Sequence, residues 1–228
     1  TDAYQIVYNA NYLRFALHSM SQFYGTDTLL ALQKQGLSMA VVHMNGLRCL
    51  ISGVMGDHLT VFSTLVEQSD RAMTWYHSCE PSGGGKPVSD SLFTVAFYNA
   101  DGVQVPIPDV ITSKAAPTGK VLTAGMLRKK SNCAGPRSKE FVSPQHTWLD
   151  QADPSGRLHP AIVLNMFERG RTDCFDGAIG LKALQDAGVK VVVFRIEDVN
   201  YYPHKAAALV GKPVEVRARV GADGKMMF

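Results

Sequence analysis

Asp2 stands at the head of TDAYQIVYNANYLRFALHSMSQFYG (residues 1–25), and 151 residues later Asp153 stands at the head of ADPSGRLHPAIVLNMFERGRTDCFDG (residues 152–177). With one residue inserted, Gly25 then matches Gly177, the Leu32-Gln33 pair matches Leu184-Gln185, and Gly36 matches Gly188. GLSMAVV from Gly36 runs beside GVKVVVF from Gly188, and VMGDHLTV from Val54 beside LVGKPVEV from Leu209. Matches kept in order over about 70 residues, with the offset widening only from 151 to 155, mark a duplicated unit rather than chance.

One unit reads as a long helix followed by strands. From Tyr12 to Gln35 apolar residues recur at helical spacing (Leu13, Phe15, Ala16, Met20, Phe23, Tyr24, Leu29, Leu30, Leu32), a stripe wide enough to be largely buried. Gly36, and Gly188 in the second copy, end that helix as a left-handed cap. Strands are expected at Leu37 to Val42, Leu59 to Val66, Ala72 to Cys79 and Leu92 to Tyr98, where β-branched and aromatic residues gather. PSGGGKP (residues 81–87) reads as a hairpin turn; SGGGK lacks the spacing of a phosphate-binding loop. A further strand, Phe141 to Trp148, precedes the second Asp. The resulting class is α+β: in each half an antiparallel sheet wrapped on a long central helix.

Residues 101–140 separate the halves. This stretch is rich in Pro and Gly and holds seven Lys or Arg (Lys114, Lys120, Arg128, Lys129, Lys130, Arg137, Lys139) against three acids. The net charge of +3 therefore belongs to the linker, and the rest of the chain is about −1. Nucleic acid is not an expected partner, since no basic face spans the protein. The organisation expected is a first domain over 1–100, a linker over 101–140 and a second domain over 141–228. The first copy starts directly at Thr1 and the second stops at Phe228, about two strands short, so the second reads as truncated and both ends as incomplete.

The 228 residues allow a sizeable core, and 46% hydrophobic with 19% charged residues is the composition of an ordinary globular protein. No apolar run reaches the roughly 18 residues of a membrane span. Cys49, Cys79, Cys133 and Cys174 form no CxxC pair and have no His at zinc-ligand spacing, so free, mostly buried thiols in a reducing compartment are expected and no metal is implied.

At the two Asp motifs the sequence resembles the hotdog-fold acyl-CoA thioesterases of the 4-hydroxybenzoyl-CoA thioesterase type. TDAYQIVYNANYLRF is similar to the family's Asp, turn, Val-aromatic pair and polar residue before the Tyr that begins the hotdog helix. In the second copy the Asp-Pro-Ser-Gly turn and Phe167-Glu168-Arg169-Gly170-Arg171 resemble the family's turn and its aromatic-Glu-Arg-Ala-Arg. The resemblance implies a tandem double hotdog that hydrolyses an acyl-CoA or acyl-carrier thioester without a cofactor. The motif Asp would act as nucleophile or general base, and the thioester carbonyl would sit at the N-terminus of the hotdog helix. That chemistry is sound: a carboxylate ionised at neutral pH attacks an acyl carbon or activates water, while helix N–H groups receive the oxyanion.

By the same resemblance the oxyanion donor is the backbone N–H seven residues after the Asp. After Asp2 this is Asn9; after Asp153 it is Pro160, which has no N–H. The expected catalytic residues are thus Asp2, Asn9 and Asp153, with the Asp2 site competent and the Asp153 site altered. Asn9 stands where some relatives carry a His. Tyr8, Tyr12, Phe167, Glu168 and Arg171 are the expected substrate-binding residues.

Each has a plainer reading. Asp before a helix is commonly a turn residue, and Asn9 a helix-entry cap. Glu168 and Arg171 form a simple helical ion pair; His159 is a helix-entry residue and His204 a solvent-exposed loop residue. Lys129, Lys130 and Arg128 read better as a solvated loop than as a grip on coenzyme A phosphates. Hydratase chemistry is disfavoured, because no His follows Asp2 within seven residues. The alternative to an enzyme is a non-catalytic acyl-thioester-binding or structural hotdog module. A homo-oligomer through hotdog sheets is compatible with either. The expected location is cytoplasmic, with a mitochondrial one left open by the incomplete N-terminus.

Overall fold

The structure is a computed structural model that describes residues 7–118, 140–220 and 226–228. They form two compact units. The first comprises the described residues up to 118 together with 194–204; the second comprises 140–193 and the described residues from 205 onward. The segment 194–204, placed by sequence in the second domain, thus joins the first unit.

In the first unit the expected single helix is two, α1 (Asn9–Tyr24) and α2 (Thr26–Lys34). The break falls at Gly25, whose φ of +84° suits glycine, and its N–H still donates to the Ser21 carbonyl at 3.0 Å. Leu13, Ala16, Met20 and Tyr24, three and four residues apart, are the buried stripe of α1. The cap expected at Gly36 is present. Its N–H donates to the Gln33 carbonyl and the Leu37 N–H to the Leu32 carbonyl, both at 2.9 Å, with φ +74° at Gly36.

Four long strands follow: β1 (Ser38–Cys49), β2 (Leu59–Gln68), β3 (Ala72–Pro81) and β4 (Ser89–Tyr98). They cover the four strands expected in this half except for Leu37 and extend them, the strand expected at Phe141 to Trp148 ends at His146, and residues 81–87 make the expected hairpin between β3 and β4. All pairings are antiparallel, and short β5 (Gln104–Val105) adds to the end of β4. Alternation along β3 and β4 buries Met73, Trp75, His77, Phe93, Val95 and Phe97. Tyr24 closes this core, its hydroxyl 3.6 Å from Met73 Sδ and its ring edge-on to Trp75 at 6.0 Å. Each such aromatic contributes roughly 1.5–3 kcal/mol by burial. After β5 comes the one-turn α3 (Asp109–Thr112).

The other edge of β1 is covered by a strand from the second sequence repeat, β7 (Arg195–Asn200), giving the order β2-β3-β4-β1-β7. His43 pairs with Asn200 and Arg48 with Arg195. By the repeat offset that carries Gly36 onto Gly188, Arg195 is the counterpart of His43 and Asn200 that of Arg48. β1 and β7 therefore pair as a strand pairs with its own copy about a two-fold axis. The β-branched run before it, Val191 to Val193, lies outside the strand.

The second unit holds β6 (Phe141–His146), α4 (Pro160–Asp173), α5 (Gly177–Asp186), the one-turn α6 (Pro203–Ala206), whose residues from 205 belong here, β8 (Pro213–Val220) and β9 (Met226–Met227). Its antiparallel sheet has the order β6-β8-β9. α4 buries Ala161, Ile162 and Leu164. Gly188 repeats the cap of Gly36: its N–H donates to the Gln185 carbonyl and the Val189 N–H to the Leu184 carbonyl, both at 2.9 Å. Gly177, like its match Gly25, has positive φ; it opens α5 after the break at residues 174–176.

Candidate functional site

The start of α1 is the first place where the fold assembles the expected residues. Tyr8 is the residue before the first helical turn, extended at φ −63° and ψ 137°, and its own side chain does not cap the turn. The first turn of a helix presents backbone N–H groups and the positive end of the helix dipole to an incoming oxygen. Asn9 is buried there, and its Oδ1 has no partner among the described residues.

Tyr12, one turn on, is also buried, and burial pushes its phenol up to about 12, against a hydrogen bond with the backbone of Gly53. Negative charge on Cys49, Cys79 and Asp57 pushes it the same way. The Cys79 thiol is itself raised by burial, a hydrogen bond from Ser89 opposing, so it is a thiol rather than a nucleophilic thiolate. Cys79 is buried, whereas Cys49 and Cys174 are half-exposed, so among the described cysteines burial is the exception rather than the expected rule; none of the three is in a disulfide. Asp2 and Cys133 lie outside the described residues, as do Lys120, Arg128, Lys129, Lys130, Arg137 and Lys139.

The start of α4 is built differently. Pro160 is its first residue, and His159 caps it: Nδ1 accepts from the Ala161 N–H at 3.1 Å. Asp153 is spent in its own turn. Its Oδ1 accepts the backbone N–H groups of Ser155 at 2.8 Å and Arg157 at 3.1 Å, and the Ser155 hydroxyl, while Oδ2 faces Arg157 Nε at 3.5 Å. Further along α4, Glu168 and Arg171 form an ion pair in which both side chains are largely buried, and the Phe167 ring stacks on Phe228 at 5.0 Å. His204 is exposed as expected, but stands in α6 rather than a loop.

One polar constellation was not foreseen. Ser19 Oγ on α1 lies 2.8 Å from Ser63 Oγ on β2, which lies 2.7 Å from Nδ1 of His77 on β3. His77 is sandwiched against Phe93 at 4.4 Å, and burial pulls its imidazole down to about 3. It is neutral at physiological pH and closed off from solvent, so it serves as a structural hydrogen-bonding group rather than an acid or base. Among the described residues no three His, Cys, Asp or Glu gather as a metal site, and no helix is long and apolar enough to cross a membrane.

No protein-family model matches the chain, and no curated protein sequence does. Solved structures do. A protein described as an oleoyl thioesterase from Lactobacillus plantarum superposes with a TM-score of 0.68 at 11% identity, covering 96% of this chain and 79% of that one. The chain has the hotdog fold. A second hotdog protein, a 12:0-ACP thioesterase from Umbellularia californica, matches with a TM-score of 0.59 at 12% identity, over 74% of this chain and 65% of that one. α1 and α4 are the two hotdog helices, at equivalent places in the repeat, and the expected α+β tandem arrangement extends over nearly the whole chain.

Proposed function

We propose that this double hotdog hydrolyses an acyl-CoA or acyl-carrier thioester to the free acid and the thiol, at one site per chain, the entrance of α1. The observation that carries the reading is the contrast between the two hotdog helices. α1 begins at the buried Asn9, which has a backbone N–H and no cap from the Tyr8 side chain, whereas α4 begins with Pro160, which has none, under a His159 cap. The names of the two structural relatives, both thioesterases, favour the same reaction class.

In this reading the thioester carbonyl oxygen lies against the first-turn N–H groups of α1, with Asn9 as oxyanion donor. Asp2 either activates the water that attacks the acyl carbon or attacks it itself to form an anhydride that water then hydrolyses; on both routes the C–S bond breaks and the thiolate leaves. Tyr8 flanks the entrance. The second half, with Asp153 committed to its own turn, serves a structural or ligand-holding role.

The test is release of free thiol from a panel of acyl-CoAs of graded chain length, followed with a chromogenic thiol reagent. Turnover by the full chain that Asp2→Asn abolishes and Asp153→Asn leaves in place supports the reading. Binding of coenzyme A thioesters without thiol release from any of them would sink it and support the non-hydrolytic alternative.

A further inference from the structure

We propose that Gly53 is a positioning residue that holds the entrance of α1 in place. The inference rests on that entrance being the working site. Gly53 lies in the turn between β1 and β2, where Leu50, Ile51, Val54 and Met55 are all exposed, and Gly53 alone among them is buried. The base of the turn is tied to β4's approach: the N–H groups of Leu50 and Ile51 both donate to the Val88 carbonyl, at 2.8 and 3.1 Å. Its tip is closed by Asp57, whose Oδ2 accepts the Val54 N–H at 2.8 Å. A well-tied turn thus presents its glycine inward.

What it meets is the α1 entrance. The Val7 N–H donates to the Gly53 carbonyl at 2.7 Å, and the Tyr12 hydroxyl is hydrogen-bonded with the Gly53 backbone. Val7 leads directly into Tyr8 and Asn9, so these two bonds fix the chain just before the helix and the helix one turn in. Asp2 lies five residues further towards the N-terminus. The need for glycine is spatial rather than conformational. Gly53 is not among the residues of positive φ, but a Cβ there would come within 2.9 Å of Tyr12 Oη and 3.3 Å of Val7 Cγ2. The first distance is closer than packed carbon tolerates, and the phenol is the end of a rigid, buried side chain. A methyl group therefore pushes the turn away from Val7 and Tyr12 together, displacing the N–H groups that receive the carbonyl oxygen.

The experiment compares Gly53→Ala, Tyr12→Phe and the double variant in the full chain. With an acyl-CoA that the unaltered protein hydrolyses, Gly53→Ala is expected to lower kcat about tenfold or more while KM stays within about twofold, as small misplacements of reacting groups do. The double variant, lacking the hydroxyl that meets the new methyl, is expected to regain the activity of Tyr12→Phe alone. Amide hydrogen exchange at Val7 gives a readout independent of turnover: protected in the unaltered protein and faster in Gly53→Ala. If no thioester is hydrolysed by the unaltered protein, the proposed function fails, and Val7 exchange still decides the role of Gly53. Unchanged exchange at Val7, unchanged kcat in folded Gly53→Ala, or no rescue by the second substitution each overturns the proposal. Should Gly53→Ala fail to fold, restored folding in the double variant supports it and continued failure overturns it.

Discussion

Ser63 Oγ lies 2.7 Å from Nδ1 of His77, at the centre of the packing between α1 and its sheet. The bond uses one ring nitrogen; Nε2 has no partner among the described residues, and the ring faces Phe93 at 4.4 Å. A charged imidazolium has nowhere to be solvated here, which is why burial pulls the group down to about 3.

This fixes a pH dependence of stability. The native His77 holds its proton less tightly than the unfolded one, whose value is 6.5. Stability from this group is complete above that value and is lost as pH falls through the window towards about 3, because the unfolded state takes up the proton first. The slope reaches about 1.4 kcal/mol per pH unit within the window. Urea unfolding between pH 7 and pH 4 is expected to show that fall, and His77→Phe a shallower one. Equal slopes would mean that other groups govern the acid limb.

Lys114 supplies a second, separable tie. Its Nζ donates to the carbonyl of Tyr24, the last residue of α1, at 2.6 Å and to Thr28 Oγ1 at 3.0 Å. A cation at a helix C-terminus satisfies a carbonyl left over by the helix and complements its dipole. Lys114→Met is expected to cost about 1 kcal/mol, read as a lowered thermal midpoint, with Lys114→Arg intermediate. A midpoint unchanged in Lys114→Met would show the contact to contribute nothing.

In the second unit α4 approaches the sheet closely at Gly170. A Cβ there would lie 2.7 Å from Val216 Cγ1 on β8, and Val216 is itself buried. Gly170→Ala gains helix propensity but overpacks this contact, for an expected net loss of about 1–3 kcal/mol. Denaturant midpoints measure it. Combining it with Val216→Ala, which frees the space, is expected to recover part of the loss; stabilisation by Gly170→Ala alone would refute the packing argument.

What could be read from sequence divides along physical lines. Gly36 and Gly188 were legible as caps because a left-handed residue after a helix is a local requirement, met by the same two hydrogen bonds in each copy. The break at Gly25 was not, because the apolar stripe continues across it from Met20 and Tyr24 to Leu32, and a stripe records burial rather than backbone continuity. The joining of β7 to β1 was equally hidden, since pairing between distant strands leaves no local trace. At the candidate site, the missing N–H of Pro160 is written in the chain, whereas Ser63 and His77 meet only through the register of β2 on β3, and Ser19 joins them only through the packing of α1 on β2. Alternation along those strands places Ser63 and His77 on one face; only the register makes them neighbours. Gly53 gave no signal at all, being one of two glycines in its turn.

Asp153 offers the sharpest comparison of structural with catalytic duty. Its carboxylate organises the turn from Asp153 to Arg157 through the backbone N–H groups of Ser155 and Arg157, and it pairs with Arg157. Asp153→Ala removes every acceptor at once and is expected to destabilise the protein by about 1–2 kcal/mol. Asp153→Asn keeps one oxygen for the two N–H groups and loses only the charge facing Arg157, so its expected cost is under about 1 kcal/mol. Measured by thermal unfolding beside thioester turnover, both variants are expected to shift the midpoint in that order without lowering kcat per folded molecule. A loss of kcat in Asp153→Asn at full stability would return this carboxylate to the reaction and overturn the assignment of a single working site at α1.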